Sequence, residues 1–252
     1  MIFMIEPKPT PNIQSKISFI EKHTELSKVF RFSVPENFTY LPGQFVMIKI
    51  NLQEKNGFKI LNGKPAVQSR AFSMSSTPTH PGYVETAIKE EENGFVSKYF
   101  NRCAELNEPA IISGPYGHFH FSEAEAEEIV LLGAGSGITP LISILRYISD
   151  KKLSTKTILI YSNRSEDDTI FFKDLQELEK QNPNIKIVFT MTRQPEWKGE
   201  KGRITLDTIK KYIPEISNPL YFICGSPDFS KACKELLLAA GIHQEKVKTE
   251  QW

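Results

Sequence analysis

Gly133, Gly135 and Gly137, spaced two apart and followed by Thr139 and Pro140, form the feature of this chain best suited to chemistry. They stand between a short aliphatic run at 129–132 and a stretch in which Leu141, Ile142, Leu145 and Ile148 recur at helical spacing. A glycine-rich turn from strand to helix lets backbone N–H groups close on a phosphate, which the helix N-terminus then favours electrostatically. The pattern is not G-x-G-x-x-G. Ile138 occupies the third glycine's place, and Pro140 takes an early helical position where its missing N–H costs little.

Two other apolar runs end in unusual residues. Tyr161 leads into Ser162, Asn163, Arg164 and then Asp168, and Ile223 leads into Cys224 and Gly225. Ligands gather at the carboxyl ends of strands in an open parallel sheet, so all three turns should lie on one edge along which a nucleotide can run. Such folds often place an acid about 20 residues after the glycines to hold a ribose hydroxyl. Asn163 and Arg164 end the second strand instead, which favours a 2′-phosphate and hence NADPH over NADH. Gly225 would let a flat ring approach the backbone. Nearer the start, Arg70, Phe72 and Ser73 could serve one ligand: a guanidinium for phosphate, a ring for stacking, a hydroxyl for a ring nitrogen. Strand alternation puts Arg70 and Phe72 on one face and Ser73 on the other unless the chain turns there.

The elements that must position these residues follow two grammars. Up to about residue 122, runs at 17–21, 28–34, 44–50, 66–73, 83–88 and 110–113 are rich in Val, Ile, Phe and Thr. Turn signals at 41–43, 56–57, 62–63 and 81–82 separate them, which predicts a closed or nearly closed antiparallel β-barrel interrupted by one helix near 94–104. From about residue 127, strand-like runs at 129–132, 157–161, 185–190 and 220–224 alternate with helical patterns at 138–149, 170–181, 205–212 and 228–240. A last strand is expected near 246–249. That alternation predicts an α/β domain with a parallel sheet. The expected organisation is a β-barrel domain at 1–122 and an α/β nucleotide-binding domain at 123–252.

Composition narrows the classes. A formal net charge of +1 argues against nucleic-acid binding. No apolar run reaches the ~18 residues that span a bilayer, and the N-terminus lacks the pattern of an export leader, so the expected location is the cytoplasm, away from membranes. Cys103, Cys224 and Cys233 are too few and too scattered for a disulfide framework, a zinc site or an iron–sulfur cluster. His118 and His120 lack an evident third ligand, so no metal is expected.

Taken together, these segments resemble the ferredoxin–NADP reductase superfamily of flavin-dependent oxidoreductases over nearly the whole chain. Arg70, Phe72 and Ser73 resemble its R-x-Y-S flavin motif, and Gly94, Phe95, Val96 and Ser97 its G-x-x-S pyrophosphate turn. Gly114 to Gly117 is similar to its G-P-x-G, and 133–140 to its G-x-G-x-(A/G)-x-x-P loop. Asn163, Arg164 and Asp168 resemble N-R-x-x-x-D, and Cys224 with Gly225 its C-G pair. The resemblance implies a bound FAD, with FMN the lesser alternative, and NADPH or NADH as the substrate that delivers hydride to flavin N5. It further implies that Arg70 contacts flavin phosphate, Phe72 packs on the flavin and Ser73 bonds near N5. Backbone at Ala87, Ile88 and Lys89 would run along the cofactor, while Thr139 and Cys224 would border the nicotinamide. Arg193 and Arg203 resemble phosphate-contacting elements after the third strand, and terminal Trp252 would cover the flavin face. Phe72 lacks the family tyrosine's hydroxyl, and Ser226 with Pro227 departs from its C-G-P-P-M continuation. The implied partner is a ferredoxin or flavodoxin served by a monomer. The alternatives are an electron-transfer subunit of an oxygenase or other redox complex, or a reductase of a cytochrome or of free flavin.

Overall fold

The computed structural model describes residues 7–56, 58–60, 65–124 and 126–251. The chain divides into two compact units, 1–120 and 121–252.

In the first unit six strands form one antiparallel sheet: β1 (Thr10–Thr24), β2 (Ser27–Ser33), β3 (Phe45–Asn51), β4 (Val67–Ser73), β5 (Tyr83–Lys89) and β6 (Pro109–Tyr116). Their order is β4-β3-β6-β1-β2-β5. The closed or nearly closed antiparallel barrel expected from the sequence takes the form of a curled half-barrel whose edge strands are β4 and β5. The two edges meet by the chain that leaves β4, where the Ser75 N–H donates to the Glu85 carbonyl at 2.7 Å. β1 is three times longer than its apolar run suggested. It pairs with β6 through its first half and with β2 through its second, and register shifts between Thr10 and Ile13, Ile17 and Phe19, and Lys22 and Thr24 break the alternation that a sequence pattern detects. Alternation along β2 turns Phe30 and Phe32 inward and Arg31 outward. A single helix, α1 (Phe95–Arg102), plugs this core with Tyr99 and Phe100. The Phe100 ring meets Phe30, Phe32 and Phe72 edge to face at 5.2, 6.2 and 5.7 Å.

The second unit is a parallel sheet of β7 (Glu128–Ala134), β8 (Lys156–Asn163), β9 (Ile185–Met191), β10 (Glu200–Lys201), β11 (Leu220–Gly225) and β12 (Val247–Gln251). Helices α2 (Ile138–Asp150), α3 (Phe172–Gln181), α4 (Leu206–Tyr212) and α5 (Pro227–Ala239) accompany it. The order β10-β9-β8-β7-β11-β12 runs outward from β7 in both directions, so the topology switches between β7 and β11. Ile129, Val130, Leu131 and Leu132 are wholly buried, as a central parallel strand requires. β10 was not expected; two residues opposite Thr190 and Met191 are too short to show a period. α3 begins two residues later than its pattern suggested, because Phe171 adopts a left-handed conformation with φ of 60°.

Truncating Phe100 to alanine should cost about 3–5 kcal/mol, because four neighbouring aromatic rings lose their common contact. Urea melts of the Phe100→Ala chain should show a lower midpoint; an unchanged midpoint would remove α1 from the core of the first unit.

Candidate functional site

Two helices start differently from the rest. α1 begins after Gly94 and α2 after Gly137; neither has a side-chain cap, and neither has an acidic residue in its first turn. Thr205 caps α4 and Ser226 caps α5, while α3, α4 and α5 carry Asp174, Asp207 and Asp228 in their first turns. The first N–H groups of a helix have no partner within it, and its positive end favours an anion. α1 and α2 thus leave room for an anion that their own chains do not supply.

In the second unit that opening sits at the topological switch point. Gly133 is in register with Tyr161 on one side and Cys224 on the other. A 3-10 turn, Gly135–Gly137, joins β7 to α2. Gly135 has φ of 53°, and a Cβ on Gly137 would lie 2.1 Å from the Cys224 carbonyl oxygen. The turn is therefore pressed against the end of β11, and only glycine fits. Its first carbonyl is held from beneath: the buried Tyr161 hydroxyl donates to Gly135 O at 2.7 Å. Burial drives the pKa of that phenol well above the usual range. Thr139 Oγ1 donates to Ser136 O at 2.7 Å and closes the turn on its far side.

The ends of β8 and β9 stay laced together beyond the strands. Thr192 N donates to Asn163 O at 2.9 Å, and Arg193 N donates to Arg164 O at 2.8 Å. Gly202 N donates to Met191 O at 2.9 Å. This register carries Arg164, Arg193 and Arg203 to one stretch of the sheet's carboxyl edge, all three exposed and none in an ion pair among the described residues. The buried Asn163 side chain has no hydrogen-bond acceptor for its Nδ2. Asp168, half-buried, lies in the turn after these residues. Cys224 is wholly buried and Gly225 nearly meets Phe229, whose N–H donates to the capping Ser226 hydroxyl at 3.3 Å. β12 runs beside them with Glu250 opposite Cys224 and Gln251 opposite Gly225. Trp252 lies outside the described residues. Burial pushes the Cys233 thiol up to about 12, and burial also raises Cys103, so both are poor nucleophiles.

In the first unit Arg70 stands opposite Ile48 and Phe72 opposite Val46, both core residues. Side chains directly opposite on paired strands share a face. Arg70 therefore projects on the core side of the sheet and is nonetheless exposed, its Nη1 donating only to the neighbouring Ser69 O at 2.7 Å. The core face is open at that point. Ser73, on the other face, is buried. Ala87, Ile88 and Lys89 form the end of β5, opposite Val29, Lys28 and Ser27. That end is tied to the helix: Asn101 Nδ2 donates to both Ile88 O and Ser97 O at 3.0 Å. At the helix entry a Cβ on Gly94 would sit 2.2 Å from Ser97 Oγ, which accepts from Glu91 N at 3.1 Å. The Ser97 hydroxyl thus shapes the turn, and the first turn of α1 has no side-chain cap. An open cationic side chain and an uncapped helix suit a pyrophosphate, and the residues present fit FAD. Tyr161 was not among the expected site residues; a hydroxyl-bearing ring closing an otherwise aliphatic strand was the signal that could have found it.

Residues 15–121 match the family of oxidoreductase FAD-binding domains and residues 131–235 that of oxidoreductase NAD-binding domains. The chain is 30% identical over 253 residues to NADH-cytochrome b5 reductase 1 of Debaryomyces hansenii, covering 95% of this chain and 84% of that one. It is 24% identical to the glycine betaine monooxygenase reductase subunit of Chromohalobacter salexigens, spanning 88% of this chain but 59% of the subunit. The fold is also that of a ferredoxin NADP+ reductase from Neisseria gonorrhoeae, with a TM-score of 0.77, 22% identity and coverage of 98% and 99%. Among the described residues no helix is long and apolar enough to cross a membrane.

Replacing Tyr161 by phenylalanine removes the bond under Gly135, whose half-buried carbonyl still accepts from Ile138 N, a net loss of about 0.5–1.5 kcal/mol. The expected result is a several-fold rise in KM for the nicotinamide coenzyme with FAD content unchanged; a KM equal to wild type would detach Tyr161 from the loop's function.

Proposed function

Because the chain belongs to the ferredoxin reductase family of flavoprotein oxidoreductases, with one FAD-binding and one NAD-binding domain, we propose that it takes electrons from NADPH or NADH and passes them to a separate one-electron carrier protein. Bound FAD supplies the chemistry, accepting two electrons together from the nicotinamide and releasing them singly. The protein's residues bind and align. Arg70 and the first turn of α1 (Gly94, Phe95, Val96 and Ser97) hold the FAD pyrophosphate, and Phe72 and Ser73, with the β5 backbone at Ala87, Ile88 and Lys89, flank the ring system. The turn of Gly135 and Gly137 with α2 holds the coenzyme's pyrophosphate. Thr139, Cys224 and Gly225 border the nicotinamide, and Trp252 is the reading's candidate for the cover over the flavin. The observation that carries this assignment is that α1 and α2, alone among the five helices of the described residues, have neither a cap nor an acid at their N-termini.

Arg164, Arg193 and Arg203 make NADPH the preferred coenzyme in this reading, since three unpaired guanidiniums at one edge suit a dianionic 2′-phosphate. Asn163 lends its amide to the adenosine ribose. The acceptor is a ferredoxin or flavodoxin. A haem carrier is the second reading, favoured by the 30% identity to a cytochrome b5 reductase; an oxygenase component is favoured by the likeness to a monooxygenase reductase subunit. The three cysteines are too few and too scattered for an iron–sulfur cluster, so in this reading electrons leave directly from the flavin.

Two measurements test the proposal. Purified protein should carry FAD and reduce one of ferredoxin, flavodoxin or a b-type cytochrome at the expense of NAD(P)H; failure with all three acceptors and both coenzymes would overturn it. Replacing Arg164 and Arg193 together by alanine should lower kcat/KM for NADPH by about 10- to 100-fold, the loss of one or two charge-assisted bonds, and leave NADH within about twofold. Equal losses with both coenzymes would refute the 2′-phosphate assignment.

A further inference from the structure

The chain leaving β4 is buried where a connecting segment normally runs on the surface. Ser73, Met74, Ser75, Ser76 and Thr77 are each no more than 5% exposed, and four of the five bear hydroxyls. Burying such a segment requires partners for its polar groups, and Glu85 supplies three of the hydrogen bonds seen among the described residues. Ser75 N donates to Glu85 O at 2.7 Å, and Ser75 Oγ donates to Glu85 Oε1 at 2.9 Å. Glu85 N donates to Ser76 Oγ at 3.0 Å, which also accepts from Tyr40 OH at 2.8 Å. The carboxylate is only 3% exposed, and its second oxygen accepts from Arg31 Nε at 2.8 Å. Arg31 stands directly opposite on β2, its guanidinium held near the rings of Phe19 and Tyr83 at 4.7 and 4.6 Å.

An ion pair between a buried carboxylate and a half-buried guanidinium is a modest source of stability, because desolvation offsets part of the attraction. Its effect is geometric. Glu85 joins the two free edges of the half-barrel and does so through the residues that follow Arg70, Phe72 and Ser73. We propose that Glu85 is a positioning residue for the flavin: through Ser75 and Ser76 it fixes the exit of β4, and with it the placement of Phe72 and Ser73, without touching the cofactor itself. This rests on the reading of the first unit as the FAD site.

The test titrates FAD into flavin-free full-length chain, with folding of each variant verified by far-ultraviolet circular dichroism. Glu85→Ala should raise the Kd for FAD at least about tenfold and alter the visible circular dichroism of the bound flavin. Glu85→Gln, which keeps an oxygen for Ser75 but cannot accept from Arg31 with a second one, should recover part of both. Ser75→Ala, which deletes a single hydroxyl, should raise the Kd several-fold. A role confined to folding would lower stability while leaving the Kd of the folded chain and the flavin's spectrum untouched, and that result overturns the proposal. If Glu85→Ala does not fold, Ser75→Ala decides: a wild-type Kd and spectrum overturn the proposal, and a weakened Kd with a changed spectrum supports it. Wild-type protein that binds no FAD would instead overturn the reading of the unit as a flavin site.

Discussion

A helix that begins without a side-chain cap or a first-turn acid leaves its positive end open to an anion, and two such helices organise this molecule. α1 and α2 each begin at a glycine, without the capping hydroxyl that α4 and α5 possess and without the first-turn aspartate of α3, α4 and α5. Both are anchored hard behind the opening. Phe100 fixes α1 among Phe30, Phe32 and Phe72, and ten of the thirteen residues of α2 are buried. Rigid burial of the helix body keeps the open end in place, so that an anion can be received with little reorganisation.

The two units reach this arrangement from opposite kinds of sheet. In the parallel unit the opening follows from topology alone: strands added on either side of β7 leave a crevice at its carboxyl end, and the glycine turn falls into it. An antiparallel half-barrel has no such switch point. There the site depends on a break in the pattern, an arginine on the core face where the core does not cover it, and on whatever holds the two sheet edges in relation. Glu85 and its serines occupy that position. The parallel unit braces its loop with two neutral hydroxyls, those of Tyr161 and Thr139, whereas the antiparallel one uses a buried carboxylate, a half-buried guanidinium and serines.

Much of this was legible in the residues. The change from two-residue to helical periodicity near residue 127 marks the change of unit, and Gly137 was legible as a loop residue because its neighbours demanded a strand before it and a helix after it. What the sequence did not reveal has a common cause: it depends on contacts between distant positions. The bulges that extend β1, the two residues of β10, and the left-handed Phe171 that delays α3 are set by register with partners far along the chain. Glu85 reads as an ordinary outward-facing strand residue until the exit of β4 is seen to fold over it. Six short strands suggest a closed or nearly closed barrel, and the sheet curls without a ladder between β4 and β5, which meet through side chains and one turn.

The placement of charge separates the functions of the two ends of the coenzyme-binding edge. Arg164, Arg193 and Arg203 are exposed and in no ion pair among the described residues, so in the proposed reading they exchange water for phosphate at modest cost and select the coenzyme. Cys224 and Gly225 are buried, pressed against Gly137 on one side and flanked by β12 on the other, with Glu250 in register with Cys224. A surface that offers close approach of backbone suits alignment of a flat ring, where geometry rather than attraction sets the rate. In that reading recognition and alignment fall to different residues along one edge, and altering the arginines changes the choice of coenzyme while leaving the alignment surface as it is.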